Sequence, residues 1–314
     1  MNSRIVCNTG CIVGVAAVLL LGAAIAAPAI AARLRICQTQ EQSYEQIKPS
    51  ATTLEINAAL FAAVDKRCLS LAGRLLADGA SLKARDRFGA MPLSRAAKAG
   101  DVEIVDLLLE HGAEINARDL DGSTALYVAA EAGRHTVVET LIASGADVNL
   151  PGRSGLTPIA ATAFIGDDPL MRLLLDKGAD ANAVDGTGKS AICYAAGRGF
   201  PAAVRRLLDN GVDVNRRYGN DLTVLMWAAG YTEEAGTADM DEIIKLLIER
   251  GARLDDRDNR GRTALMIAAA VGHAAAAELL ISRGADTAAR DKQGKSAGEL
   301  TSNEELRARL ATKQ

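Results

Sequence analysis

Residues 141–149 read LIASGADVN. Two apolar residues and two variable ones lead to a glycine, the residue that most easily takes the left-handed conformation closing a helix. Alone this marks one helix end, but the pattern recurs. LLADGA (75–80), LLEHGA (108–113), LLDKGA (174–179), LLDNGV (207–212), LIERGA (247–252) and LISRGA (279–284) repeat it. Gly79, Gly112, Gly145, Gly178 and Gly211 are spaced by 33 residues, Gly251 follows after 40, and Gly284 after 33 again. Self-similarity at a fixed period is the signature of a stacked repeat array.

Each unit reads physically. Thr124, Thr157, Ser190, Thr223, Thr263 and Ser296 stand where a first helix opens, and a hydroxyl there can accept from the orphan amides of the first turn. Pro92 and Pro158 fit the first helical position. Short apolar segments follow, with pairs such as Ala96-Ala97, Ala129-Ala130, Ala195-Ala196, Ala228-Ala229 and Ala268-Ala269, small enough for helices to approach closely. After a turn near Gly100 or Gly133, a second helix carries apolar residues at i, i+3 and i+4, as in Ile104, Leu107 and Leu108. Asn116, Asn149, Asn182 and Asn215 then lead into turns such as ARDLDG (117–122).

Two stretches in this frame imitate a nucleotide site. AVDGTGKS (183–190) and ARDKQGKS (289–296) both fit a loose phosphate-loop pattern. A phosphate loop needs a buried strand before it and a long helix after it. Here Ser190 and Ser296 fall at the helix-opening position, and Gly188 and Gly294 are in phase with Gly89, Gly122, Gly155 and Gly261. Lys189 and Lys295 fill a variable slot. The second match lies 106 residues after the first, three units of 33 with a seven-residue insertion. The repeat supplies the motif, and the expectation is no nucleotide and no cofactor.

The 314 residues are 49% hydrophobic but only 3% aromatic, so Ala and Leu must fill the core, as suits many short helices. Residues 12–32 carry no charge and are long enough to cross a bilayer. Ala29-Ile30-Ala31 is a cleavage candidate, and Arg33 and Arg35 disfavour an anchor with its N-terminus inside. Residues 1–32 are therefore read as a signal peptide first and a membrane anchor second; either exports the rest. A buried structural helix is the third reading. Beyond residue 32, 35 basic face 39 acidic side chains, which gives no reason to expect nucleic-acid binding. Residues 33–55 are polar without a sustained period and read as a linker or loose N-terminal cap; 56–293 are repeats, and 294–314 a C-terminal capping helix.

Cys7 and Cys11 lie in or before the apolar run, and no Cys-x-x-Cys pair exists, so no metal site is expected. Cys37 and Cys68 could pair in an oxidising compartment, although with Cys193 they read more simply as ordinary thiols. His111, His135 and His273 form no ligand cluster and have no partner legible in the sequence. The acidic insertion within 230–242 lacks the order of a calcium loop.

Gly155-Leu-Thr157-Pro158-Ile159 and Gly145-Ala-Asp-Val-Asn149 resemble the ankyrin repeat, with its G-x-T-P-L-H and L-L-x-x-G-A-D-V-N layout. The resemblance implies an all-α ankyrin solenoid of about seven helix-turn-helix repeats joined by β-turn tips, here preceded by an apolar N-terminal helix. The histidine of that layout is replaced by Ser94, Tyr127, Ala160, Cys193, Met226 and Met266, which removes its usual bond to the neighbouring turn.

The family implies a non-catalytic module that binds another protein through a concave face of tips and first helices. On that face fall Phe88, Leu120, Leu156 and Leu222 at tips and Phe164 and Tyr231 near first-helix ends, with Arg87, Asp121, Arg153, Lys189, Arg198 and Arg260 interleaved. Apolar anchors ringed by arginine suit a protein interface. A self-associating scaffold is the alternative, and the membrane is a further partner if residues 12–32 are retained.

Overall fold

The computed structural model describes residues 31–230 and 237–311. The described residues form α1 (residues 31–47), α2 (Thr53–Asp65), α3 (Leu69–Ala77), α4 (Pro92–Ala99), α5 (Val102–Glu110), α6 (Ala125–Glu131) and α7 (His135–Ala143). They continue as α8 (Pro158–Ile165), α9 (Asp168–Asp176), α10 (Ala191–Gly197), α11 (Pro201–Asp209), α12 (Val224–Ala229), α13 (Thr237–Glu249), α14 (Ala264–Val271), α15 (Ala274–Ser282), α16 (Ala297–Leu300) and α17 (Glu304–Ala311). Among them β structure is limited to isolated bridges, such as Arg118 to Thr124 and Val184 to Ser190. The chain divides into two compact units, Met1–Ala96 with Asp101–Ala113, and Ala97–Gly100 with Glu114–Gln314.

In the second unit the first helices α6, α8, α10, α12, α14 and α16 pack in chain order as one layer, and α9, α11, α13, α15 and α17 as another. The alanine pairs make the first layer possible: Ala129, Ala130, Ala195, Ala196, Ala228, Ala229, Ala268 and Ala269 have no exposed surface. In α8 the first of the pair is Thr162, whose buried hydroxyl donates to the Ile159 carbonyl at 2.8 Å. Second helices bury a recurring i, i+1, i+4 triplet: Val137, Val138 and Leu141 on α7, Leu170, Met171 and Leu174 on α9, Ile243, Ile244 and Leu247 on α13. Each such leucine contributes about 1.5–3 kcal/mol through burial. The helix end is a tight left-handed closure: Gly112 has φ 90°, its amide donates to Leu109, and that of Ala113 to Leu108.

Thr124, Thr157, Thr223 and Thr263 accept from the amide three residues on, as expected of N-caps. Ser190 does not: the Cys193 amide donates to the Ser190 carbonyl instead, and the hydroxyl sits 4.0 Å from the Cys193 sulfur. The four asparagines join neighbouring units. Asn149 accepts from the Asp180 amide at 2.8 Å and donates to the Gly178 carbonyl at 3.1 Å. Asn116, Asn182 and Asn215 reach the next unit in related ways.

In the first unit α2 packs on α3, and α3 on α5. Residues 33–55, expected to be a linker or loose cap, hold α1, a 3-10 turn at Lys48–Ser50 and the start of α2. The sequence hid α1 because Tyr44 is its one buried residue, leaving no apolar period to read. Tyr44 donates to Asp78 at 2.9 Å, Lys48 pairs with Asp78 at 2.8 Å, and Arg74 with Glu45 at 3.0 Å. A disulfide joins Cys37 on α1 to Cys68 at the start of α3, with Cα atoms 5.3 Å apart, so the thiol reading of that pair gives way to a covalent clamp. Cys193 is a free, buried thiol that burial pushes up to a pKa of about 12. Residues 294–311 form two helices rather than one cap, because Thr301 takes extended backbone between them.

No described helix is long and apolar enough to cross a membrane. The apolar run at 12–32 lies outside the described residues, save Ala31 and Ala32.

Candidate functional site

The tips are built by one aspartate. Asp185 accepts the amides of Thr187 at 2.7 Å and Lys189 at 3.1 Å. Asp86, Asp258 and Asp291 do the same at their own turns. Two tips lack the aspartate. There Gly152 and Tyr218 donate their amides to Leu156 and Leu222, and Ser154 and Asn220 turn left-handed, with φ 56° and 63°. Gly152 is needed where it stands, because a Cβ there would meet the Tyr127 ring at 2.2 Å. Neighbouring tips are joined through backbone: Gly186 to Ser154, Gly219 to Gly188, Asn259 to Asn220 and Lys292 to Arg260, all near 3.0–3.1 Å.

The first helices below the tips of the second unit carry a row of aromatic rings and cations. Phe164 on α8 is 43% exposed and meets Tyr194 of α10 edge-on, centroids 5.9 Å apart. The Arg198 guanidinium lies 4.3 Å over the Phe164 ring. The Lys189 ammonium stands 5.7 Å from the Tyr194 ring and 5.2 Å from the ring of Trp227 on α12. Tyr194 donates its phenol proton to Asp185; burial, then that bond, holds the phenol above its ordinary range. Burial opposes ionisation of Asp185, but the bonds from Tyr194, Thr187 and Lys189 outweigh it and hold the carboxyl below its usual value. Beside the row, Arg153 and Tyr127 share Glu131 at 2.5 and 3.2 Å, and the buried Tyr127 phenol is pushed up to about 12 by burial, then by the Glu131 charge.

The sequence-derived residues therefore separate. Phe164, Lys189 and Arg198 come together. Leu156 and Leu222 are half-buried in the aspartate-free tips, and Arg153 is turned to Glu131. Leu120 is 77% exposed, Asp121 accepts from the Ser123 amide, and Arg260 is exposed further along. Arg87 and Phe88 stack at 4.7 Å in the first unit, at a 440 Å³ groove with Leu54 and Phe61. Tyr231 and the core of the insertion lie outside the described residues. Sequence reasoning missed Tyr194 and Trp227. Their signal was present: they are 33 residues apart, each directly before an alanine pair.

His135 and His273 link neighbouring repeats, and His111 bonds the end of its own helix. His135 meets Asp167 at 2.7 Å, His273 the Ala229 carbonyl at 3.2 Å, and His111 the Leu107 carbonyl at 2.8 Å. The Asp167 partner was invisible in sequence because it comes from the next unit. Among the described residues no group of three His, Cys, Asp or Glu is placed to hold a metal ion.

The family model described as "Ankyrin repeats (3 copies)" matches residues 60–151, 158–240 and 234–291. The chain is an ankyrin-repeat protein. The crystal structure of the human ASB11 ankyrin repeat domain superposes with a TM-score of 0.63 at 26% identity, over 72% of this chain and 98% of that one. No curated protein matches the sequence. Ankyrin repeats bind other proteins, and the family is typically non-catalytic. The two GKS stretches of this ankyrin-repeat protein lie at tips built by Asp185 and Asp291.

Proposed function

We propose that this ankyrin-repeat protein holds a partner protein against the tips and first helices of its second unit, on the concave side of the repeats, and performs no chemistry on it. The observation that carries this is the row Phe164, Tyr194 and Trp227 with Arg198 and Lys189. Partly exposed aromatics beside cations are the residues that dominate interface energetics. Phe164 is 43% exposed in a chain whose residues are only 3% aromatic.

The setting we propose is outside the cytoplasm, free or tethered through residues 12–32. The Cys37–Cys68 disulfide supports an oxidising compartment, and the uncharged run supports export. Immobilised full-length protein should capture one partner from an extract of the exported fraction. Phe164→Ala should lose it without lowering the melting midpoint by more than a few degrees. Equal loss of stability and capture, or capture unchanged by Phe164→Ala and Leu222→Asp, would refute the reading.

A further inference from the structure

Two neighbouring tips, RDNRGR (257–262) and RDKQGK (290–295), hold six cationic side chains and two acids, in a chain whose net charge is −3. Both acids are engaged by their own turns. Asp258 is 5% exposed and takes the amides of Arg260 and Arg262 as well as the Arg262 guanidinium. Asp291 takes the amides of Gln293 and Lys295.

The two turns lie side by side. The Lys292 amide donates to the Arg260 carbonyl at 3.0 Å, and the Arg257 guanidinium to the Arg290 carbonyl at 2.6 Å. Arg260 therefore stands next to Lys292, with Lys295 three residues along the same tip. All three are exposed. The ion pairs of these tips are Arg262 with Asp258 and Arg290 with Glu299; among the described residues none engages Arg260, Lys292 or Lys295. Three such cations on adjoining turns make a local positive surface that suits an anionic partner.

We infer that Arg260, Lys292 and Lys295 receive a run of carboxylates on an extended segment of the partner protein. This rests on the partner-binding reading above. The backbone-linked tips explain why the occupant is a polypeptide. Asn259 is bonded to Asn220, two residues from Leu222, and Gly219 to Gly188, beside Lys189. The basic end and the aromatic row thus belong to one line of linked turns. An extended chain can fill both, with acids at one end and apolar side chains at the other, whereas a lipid headgroup would use only the basic end.

The test is fluorescence anisotropy of a labelled short polyglutamate peptide titrated with the full-length protein, at low and at physiological salt. Binding should weaken as salt rises, and Arg260→Ala/Lys292→Ala/Lys295→Ala should weaken it about tenfold or more. The charge-matched control Arg172→Ala/Lys177→Ala/Lys245→Ala should leave it unchanged. Phe164→Ala should lose the natural partner yet keep polyglutamate affinity, so that failure here is separable from failure of the partner site. The inference is overturned if polyglutamate does not bind, if both triple variants weaken it alike, or if vesicles containing phosphatidylglycerol bind through these residues while polyglutamate does not.

Discussion

Lys189 of the first GKS stretch directs its ammonium at the Trp227 ring, 5.2 Å from the centroid, and not toward a phosphate-sized cradle of amides. Its own amide is taken by Asp185, as are the turn amides around it. Calorimetric titration of the full-length protein with magnesium ATP should give no saturable heat. Lys189→Ala should cost about 0.5–2 kcal/mol, as for a half-buried cation–ring contact, and should alter the emission of Trp227, the single tryptophan. Saturable ATP binding lost in Lys189→Ala would restore the phosphate-loop reading.

Gly152 and Tyr127 are a matched pair. Since a Cβ at 152 would stand 2.2 Å from the Tyr127 ring, Gly152→Ala forces the ring or the tip to move. Overpacking of this kind costs about 1–3 kcal/mol. The double variant with Tyr127→Ala should be non-additive, because the second change removes the obstacle. Denaturant titration of the four proteins measures the coupling, and additive costs would show that the ring does not set the tip.

The repeat was legible because its signals are local: glycine closures, hydroxyl caps and alanine pairs recur in phase. What escaped the sequence depends on partners a full unit away. Asp167 reaches His135 from the next repeat, and Asn149 bridges to residues 178 and 180. The helix α1 escaped because its hold on the fold is a disulfide and surface ion pairs, with Tyr44 its lone buried side chain. Of the candidate face, Phe164, Lys189 and Arg198 could be read from their places in the repeat. Tyr194 and Trp227 stand directly before alanine pairs of the buried layer, and the Lys189 ammonium placed over both rings is what distinguishes them.

The Cys37–Cys68 bond should matter more than the ion pairs around it. It closes a loop across a sequence separation of 31, and loop-closure entropy assigns such a bond about 3–4 kcal/mol. Reductant should lower the melting midpoint of the wild type, and Cys37→Ser should lower it by a similar amount and abolish the response to reductant. A midpoint indifferent to reductant would contradict the clamp.

Arg206 bonds both carboxylate oxygens of Asp168 at 2.6 Å, and this holds the carboxyl below its usual range against the opposing effect of burial. Since the folded pKa is the lower one, the ion pair stabilises the protein above the unfolded value near 4. That contribution fades as pH falls through the folded value. Asp168→Asn should therefore be less stable than the wild type at neutral pH, and the difference should shrink as pH falls below the unfolded value and vanish once the folded carboxyl is itself protonated. A difference that persists in acid would mean that the asparagine harms packing and not the ion pair.

A photo-crosslinking amino acid placed singly at Phe164, at Leu222 and, on the opposite helices, at Arg172, within the full-length protein in its own cells, addresses the proposed function without any assumption about the partner. The face described above predicts one and the same protein adduct from positions 164 and 222, and none from 172. Adducts from position 172 alone, or unrelated adducts from 164 and 222, would contradict it.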